Sequence, residues 1–278
     1  KEPLLLPAAF PSVLVNSNQG IAVGMASNIC SFNLSEVCRA TIAYIRDPGA
    51  DLLAIMPAPD FSTGAELIYN PQEMEQVYRT GRGSIRLRAT WRYDKKNSLI
   101  EILEIPYTTT VEAIIEDVTD LVKQGKIKEI TDIRDETDLN GLKITLECRR
   151  STDPDALMQK LFRYTSLQSV FPCNFNVLIN GTPRVMGIKA RLGEWLSWRR
   201  SCVRREIAFD LDKKQQRLHL LRGLEKILLD IDKAVRIIRG TAREVDVVPN
   251  LMAGFDIDSE QAEFVADIRL RQIGRAHV

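Results

Sequence analysis

The chain has 278 residues, 45% of them hydrophobic, which is enough to build the core of one large domain or of two ordinary ones. Its 38 lysines and arginines almost balance its 37 acidic residues, so the formal net charge of +1 leaves only local basic clusters to attract an anionic partner. No apolar run of about 18 residues and no signal peptide is recognisable, so we expect a cytoplasmic protein without membrane contact.

The cysteines are scattered along the chain, and no two of them form a Cys-x-x-Cys pair. Only two histidines are present to complete a metal site. We therefore expect reduced thiols, most of them in the core, and neither a metal site nor a cofactor site in this chain. The cysteines are Cys30, Cys38, Cys148, Cys173 and Cys202.

The first part of the chain, residues 1–35, is rich in Pro, Asn, Ser and Gly around short apolar pieces. This composition predicts loop backbone held close to another surface. A helix is predicted over 34–46, with Asn33 or Ser35 as its cap. The sequence Asp47-Pro48-Gly49 is expected to end it.

An alternating pattern over 84–93 predicts a half-buried strand with a basic outer face. Residues 94–97 then form a turn and Leu99–Ile105 supplies a partner strand, so we expect an antiparallel hairpin over 84–105. The inward-facing side chains are Ile85, Leu87, Ala89, Trp91 and Tyr93, and the outward-facing arginines are Arg86, Arg88 and Arg92.

Helices and strands continue to alternate up to about residue 190. A helix is predicted over 110–124, a strand over 142–148 and a helix over 154–163, the last with Asp153 as its cap and Pro154 in its first turn. This mixture indicates an α+β fold with an antiparallel sheet.

From about residue 192 apolar residues recur at spacings of three and four, which predicts a long amphipathic helix with coiled-coil character. About thirty residues at 1.5 Å each would extend roughly 45 Å. Asp230-Ile231-Asp232 is expected to interrupt this helix and to cap a shorter one that ends at Gly240. Residues 241–252 are predicted as a loop, and 258–272 as a further helix.

A series of short motifs runs along the chain: Asn16 with Gly20–Ala26, Asn28-Ile29, Pro59-Asp60-Phe61, Tyr78–Gly83, Glu104–Tyr107, Arg134-Asp135-Glu136, Leu167-Gln168, Arg199-Arg200, Arg204-Arg205 and Arg269–Gln272. Together and in this order they resemble the A-type subunits of the bacterial type IIA DNA topoisomerases, a resemblance shared by DNA gyrase and topoisomerase IV. The similarity extends over about 1–272. Where the family usually has Pro-Pro-His before Asn33, this chain has Cys30-Ser31-Phe32.

The resemblance implies a layout of successive segments. Residues 1–33 would be the end of the winged-helix DNA-cleavage domain, and 34–191 would be the tower domain with its antiparallel sheet and helices. Residues 192–272 would be the α-helical coiled-coil segment that leads to the dimer gate. Residues 273–278 depart from the family and are interpreted as a non-native tail, so we assign no function to His277.

The resemblance also implies an activity. The parent protein would break and rejoin double-stranded DNA as a homodimer, and ATP-dependent passage of one duplex through another would change DNA topology. Mg²⁺ and ATP would come through the ATPase B-type subunit. The family's catalytic tyrosine would lie before Lys1, so this stretch alone is expected to be inactive. Arg163-Tyr164-Thr165 matches the letters of that active site, but its context matches the tower, and we interpret Tyr164 as structural.

Ile21 matches the apolar side chain that members of this family wedge between base pairs to bend DNA. The alternative is an ordinary buried isoleucine in a loop. At the head of the long helix, a solvated surface is favoured over contact with DNA for the arginines Arg199, Arg200, Arg204 and Arg205.

A basic stripe near the predicted hairpin is interpreted as a phosphate-contacting surface, which would make DNA binding dependent on salt and tolerant of sequence. The alternative is a solvated strand edge whose charge prevents aggregation. The stripe consists of Arg79, Arg82, Arg86, Arg88 and Arg92.

Two other kinds of protein fit the same sequence: a stand-alone DNA-binding or architectural module, and a coiled-coil interaction protein. The apolar stripe of the long helix needs an antiparallel partner, which the resemblance places beyond Val278. Left uncovered, such a stripe predicts self-association or fraying of the helix.

Overall fold

The computed structural model describes residues 5–268, and the chain divides into two compact units between Arg199 and Arg200. The first unit contains two larger antiparallel sheets, a separate hairpin and several helices, and the second unit is helical. Within the described residues, no helix is both long and apolar enough to cross a bilayer. The predicted α+β class, with antiparallel sheets and a long helix, is confirmed.

The first unit begins with a helical turn and a hairpin, after which helices and strands alternate. In chain order its elements are α1 (Ser12–Val15), β1 (Asn18–Ala22), β2 (Met25–Ile29), α2 (Leu34–Arg46), α3 (Leu52–Ile55), β3 (Glu66–Ile68), α4 (Pro71–Thr80), β4 (Arg82–Arg88), β5 (Thr90–Asp94), β6 (Leu99–Glu104), α5 (Val111–Lys123), β7 (Ile130–Asp135), β8 (Ile144–Cys148), α6 (Pro154–Tyr164), β9 (Gln168–Asn174), β10 (Asn176–Ile179) and β11 (Thr182–Val185).

The five-stranded sheet has the order β1-β2-β9-β4-β3, and all neighbouring strands are antiparallel. Its inner face packs against helices α2 and α4 in one hydrophobic core. Ile85 and Leu87 of β4 meet Phe171 of β9, Val37 of α2 and Val77 of α4, and none of these side chains is more than 3% exposed. Burial of each such side chain contributes about 1.5–3 kcal/mol to folding, so this core fixes which face of the sheet points outward.

The four-stranded sheet has the order β5-β6-β8-β7 and is covered by helices α5 and α6. Ile100 and Leu146, on its inner face, are fully buried together with Ile114 of α5 and Leu161 of α6. The opposite face of this sheet therefore faces outward.

Between the two sheets lies Ala89, at which the chain passes from β4 in the five-stranded sheet to β5 in the four-stranded one. The predicted hairpin over 84–105 is wrong in its first half, because β4 pairs with β3 and β9 and only β5 pairs with β6. The alternating pattern of the sequence does not indicate this change of sheet. Leu87 and Ala89 are both fully buried, so the period of two continues across the junction.

The predicted helices of the first unit are confirmed. Helix α2 begins after Asn33, whose side-chain oxygen accepts hydrogen bonds from the backbone N–H groups of Ser35 and Glu36 at 3.0 and 3.4 Å. Helix α6 has Asp153 as its cap and Pro154 in its first turn. The loop predicted for residues 1–35 is wrong, since this segment contains α1 and the β1–β2 hairpin.

The second unit is formed by helical segments that pack around a small core. The predicted interruption of the long helix is confirmed, and the Asp230 side chain accepts a hydrogen bond from the Lys233 N–H at 3.0 Å. The predicted loop over 241–252 is wrong because a helix begins at Val247. Pro249 falls within its first turn, where the proline ring removes no helical hydrogen bond. The segments are the part of α7 (Ile188–Leu228) that follows Arg199, α8 (Ile231–Gly240), a 3-10 turn (Glu244–Asp246), α9 (Val247–Phe255) and α10 (Ser259–Ala266).

Helix α7 has 41 residues and is therefore about 60 Å long, more than the 45 Å expected. Residues 204–218 within it are all exposed. Of the helix predicted over 258–272, α10 forms the first part, whereas 269–272 lie outside the described residues, as does the tail at 273–278.

Candidate nucleic-acid interface

The β1–β2 hairpin ends in an exposed apolar tip. Val23 and Gly24 connect its strands, and Gly24 has φ +81°, a conformation that glycine adopts without strain. Ile21 exposes 94% of its surface, and Val23 is fully exposed. The structure excludes the alternative that Ile21 is a buried core residue.

The pairing register places this tip and strand β4 on one face of the five-stranded sheet. Paired residues of antiparallel strands point to the same face, as do residues two apart along a strand. Ile21 pairs with Ala26, and two residues further along β2, Asn28 pairs with Asn174. Asn174 in turn pairs with Arg82. Ile21 and Arg82 therefore share a face, with β9 alone between β2 and β4, which puts those strands about 10 Å apart.

Arg79, Arg82 and Arg86 present their guanidinium groups near this part of the sheet. Arg82 and Arg86 alternate with buried residues along β4, and Arg79 lies in the last turn of α4. All three are exposed, and among residues 5–268 none of them forms an ion pair. Their charges are thus available to an anionic partner.

Arg88 lies on the same strand but is bound within the protein. Its Nε and Nη2 atoms donate hydrogen bonds to Oε1 of Gln168 at 3.0 and 2.8 Å. The guanidinium carbon also lies 4.6 Å from the ring centre of Phe162, in cation–π geometry. This arginine therefore ties β4 to β9 and to helix α6.

Arg92 belongs to the other sheet, so the predicted stripe is not continuous. It pairs with Glu101 on β6, and this hydrogen bond, more than any other contact, holds the pKa of the Glu101 carboxyl below its ordinary value. Lys143 bridges Glu101 and Glu136 at 2.9 and 3.0 Å. Arg134 adds a contact to Glu136 at 3.4 Å. The outer face of the four-stranded sheet is thus a network of opposite charges rather than a basic surface.

The arginines at the head of the long helix differ in exposure. Arg199 is half-buried, whereas Arg200 and Arg204 are exposed. Arg205 donates a hydrogen bond to the sulfur of Cys202 at 3.5 Å. The contacts that the structure describes for these arginines fit an ordinary solvated helix surface as well as DNA binding.

Two tyrosine hydroxyls, those of Tyr78 and Tyr107, form hydrogen bonds within the protein. The Tyr78 hydroxyl donates to the carbonyl of Met56, and burial raises the pKa of Tyr78. Tyr107 shares a hydrogen bond of 2.6 Å with Ser17. Tyr164 ends helix α6, is 54% exposed and stacks beneath Arg163. Within the described part of the chain, no tyrosine hydroxyl is hydrogen-bonded to a carboxylate or an imidazole.

The cysteines are free thiols, and all but Cys38 are buried, as expected. Burial raises the pKa of Cys148 to about 11 and also raises the pKa of Cys30 well above its ordinary value, which keeps both thiols protonated and unreactive. Over residues 5–268, no group of three or more His, Cys, Asp or Glu side chains is placed to hold a metal ion.

Sequence reasoning missed the residues that hold the hairpin base. The side chains of Asn174 and Asn176 both donate hydrogen bonds to the carbonyl of Ala26, at 2.8 and 3.2 Å. The sequence Asn174-Phe175-Asn176 carried one usable signal, a buried aromatic residue between two amides, but nothing local indicates an acceptor some 150 residues away.

Comparison with known proteins supplies the family context. The family model for the A subunits of DNA gyrase and topoisomerase IV matches residues 1–278. The DNA gyrase A subunit of Borreliella burgdorferi is 37% identical, over 98% of this chain and 34% of that protein. The DNA gyrase A subunit of Mycoplasma genitalium is 38% identical, over 98% of this chain and 33% of that protein.

A similar protein is also found in rice, Oryza sativa subsp. japonica. It is described as a probable chloroplastic/mitochondrial DNA gyrase A subunit, and it is 38% identical over 98% of this chain and 30% of its own length. The chain thus spans about a third of the length of the curated relatives it matches. These similarities confirm the resemblance inferred from the ordered motifs.

Proposed function

The chain belongs to the family of DNA gyrase and topoisomerase IV A subunits, and from this premise we propose that its first unit binds and bends duplex DNA. In this proposal Ile21 inserts between base pairs from the hairpin tip, while Arg82 and Arg86 contact backbone phosphates. Unstacking a base step costs a few kcal/mol, which is offset by the additional surface that a bent duplex contacts. Phosphate contacts add affinity without sequence preference, as strand passage requires.

One observation carries this proposal above the others: an apolar side chain that is 94% exposed shares a sheet face with unpaired arginines. A tip of this kind is poorly suited to water, because its apolar surface is uncovered. A DNA minor groove provides both the phosphates for the arginines and the base step for the wedge.

The activity of the whole protein is part of the same proposal. This chain would act within the breakage-reunion component of a type II topoisomerase, an isomerase that passes one duplex through another in an ATP-dependent reaction. The nucleophilic tyrosine would come from another part of that component, which would act as a homodimer. In this proposal Mg²⁺ and ATP come through the B-type partner.

We assign residues 34–191 to a tower and the long helix to the arm that leads to a dimer gate. The support for the arm is a row of exposed apolar side chains along α7, of which Ile207, Leu211 and Leu218 lie four and seven residues apart and are 60%, 53% and 49% exposed. That spacing suits the seam of a coiled coil. A coiled-coil interaction protein without DNA contact is the second candidate, and it rests on this row alone.

The wedge is tested by the Ile21→Ser variant on a duplex of about 30 base pairs that carries 2-aminopurine, whose fluorescence rises when a base step is unstacked. We expect the wild-type chain to raise this fluorescence and the variant to lose the rise while its fold is unchanged, because Ile21 is exposed. Leu139→Ser is the matched control, since Leu139 is an equally exposed apolar residue outside the hairpin. Equal fluorescence from Ile21→Ser and wild type would contradict the wedge.

A further inference from the structure

The β1–β2 hairpin has little backbone connection to its sheet. Strand β2 pairs with β9 at one position only, Asn28 opposite Asn174. By contrast, β4 and β9 pair along all of Arg82–Arg88. A two-stranded hairpin is marginally stable by itself in water, so its orientation must be set by other contacts.

Side chains at the hairpin base supply those contacts. The carbonyl of Ala26 accepts hydrogen bonds from Nδ2 of Asn174 at 2.8 Å and from Nδ2 of Asn176 at 3.2 Å. Nδ2 of Asn28 donates in the opposite direction, to the carbonyl of Pro172 on β9. Ser27 donates to the carbonyl of Asn176 at 2.8 Å. Together these bonds join the hairpin to both β9 and β10.

The asparagine amides have only one workable orientation. Each faces a carbonyl oxygen, which accepts but cannot donate, so the NH₂ group and not the amide oxygen must point toward it. Among the described residues, the Oδ1 atoms of Asn28, Asn174 and Asn176 are buried without a hydrogen-bond partner. The three amides therefore act as hydrogen-bond donors, and each leaves its buried oxygen without a partner. A buried polar atom without a hydrogen bond costs free energy, so its presence calls for a specific role.

The position of the shared acceptor connects this cluster to the tip. Ala26 lies directly opposite Ile21 in the hairpin register. Two amides on its carbonyl thus hold the backbone at the level of the exposed isoleucine. A hairpin that was free to swing would bend away from a base step rather than unstack it.

We propose that Asn174 and Asn176 are positioning residues that clamp the Ala26 carbonyl and set the direction in which Ile21 meets a duplex. The inference rests on the proposed function of the hairpin as a wedge. According to this inference, strands β9 and β10 control how the DNA is bent, although they lie about 150 residues from the hairpin in sequence.

The test uses Asn174→Asp and Asn176→Asp in the full chain, because a carboxylate keeps the size of the side chain but loses the donor and faces a carbonyl oxygen. The matched control is Asn250→Asp in the second unit, where the amide is exposed and donates to the hydroxyl of Thr241 at 3.0 Å. If either aspartate variant fails to fold, as judged by circular dichroism, the alanine variants at the same positions replace it, since they remove the donor without adding charge.

Hydrogen exchange without DNA is the first readout. We expect backbone amides of residues 18–29 to exchange about tenfold faster in the variants, and those of α5 to be unchanged, because each lost bond frees the hairpin locally. Unchanged exchange in the hairpin would overturn the clamp, whatever the DNA does.

The second readout separates positioning from binding. With the 2-aminopurine duplex the alanine variants at positions 174 and 176 are used, because an aspartate at 174 would lie opposite Arg82 and weaken its contact with phosphate. We expect these variants to lose the fluorescence rise while their affinity stays within about twofold of wild type. A full fluorescence rise with a loosened hairpin would contradict the positioning role. If wild type itself gives no rise, the wedge function fails separately, and the exchange data alone decide whether the asparagines hold the hairpin.

Discussion

Arg86 and Arg88 stand two positions apart on one face of β4, yet their side chains make different contacts. Arg88 is held by Gln168 and by the ring of Phe162. Arg86 is exposed and is not in an ion pair within the described residues. Their sequence contexts are alike, so the difference arises from what β9 and α6 place opposite each of them.

We expect Arg88→Ala to destabilise the first unit by about 1–2 kcal/mol, through the lost hydrogen bonds and cation–π contact. Arg86→Ala should change stability by less than about 0.5 kcal/mol, as is usual for an exposed position. Urea unfolding of both variants checks this, with DNA affinity measured in parallel. Equal stability losses for the two variants would show that the contacts of Arg88 contribute nothing.

Strand β4 and helix α4 are joined at Gly81, where the chain reverses in the left-handed region with φ +73°. A Cβ atom there would lie 2.3 Å from the carbonyl oxygen of Met186. This close approach fixes where Arg79 and Arg82 leave the backbone.

Gly81→Ala is expected to destabilise the first unit by more than about 3 kcal/mol, since both the conformation and a backbone clash oppose it. Gly125→Ala separates the two causes, because Gly125 has φ +71° but no atom within 4 Å of the added Cβ. That control should cost only about 1 kcal/mol. Thermal unfolding compares the stabilities of the two variants. Similar losses of stability in both would mean that the residues around Gly81 shift to accommodate the added Cβ atom.

The helices and strands that could be predicted are those whose ends are set by residues close in sequence. Asn33, Asp153 and Asp230 cap their helices in the structure, because capping depends on residues within one turn. The change of sheet at Ala89 was not predictable, since the inward faces of both sheets preserve one alternation. The loop predicted over 241–252 was wrong because α9 begins at Val247, and Pro249 in its first turn is compatible with a helix.

For the candidate site, sequence identified residue types but not their partners. Ile21 was assigned by resemblance, and its exposure follows from a hairpin that is anchored by residues distant in sequence, among them Asn174 and Asn176. Whether an arginine is free or bound depends likewise on distant strands. Arg88 illustrates this, because its partner Gln168 lies 80 residues further along the chain.

The exposed row on α7 concerns the molecule as a whole. We expect the chain to self-associate as its concentration rises, because covering Ile207, Leu211 and Leu218 removes apolar surface from water. Sedimentation velocity should show mass increasing with concentration, and Ile207→Glu/Leu211→Glu should abolish the increase. The control Leu139→Glu/Leu178→Glu removes two exposed leucines of the first unit and should leave association intact. A monomer at every concentration would contradict the coiled-coil assignment.

The charge of the whole chain, +1, cannot draw it to DNA, so affinity must depend on the few arginines that share a face with the hairpin tip. The most direct measurement is therefore the affinity for a duplex of about 30 base pairs at several salt concentrations. Wild type is compared with Arg82→Ala/Arg86→Ala and with the control Arg149→Ala/Arg150→Ala, which removes two exposed arginines near the other sheet. We expect the first variant to reduce the slope of log affinity against log salt by about two, and the control to leave it unchanged. Equal slopes for all three proteins, or binding that does not respond to salt, would contradict the proposed interface.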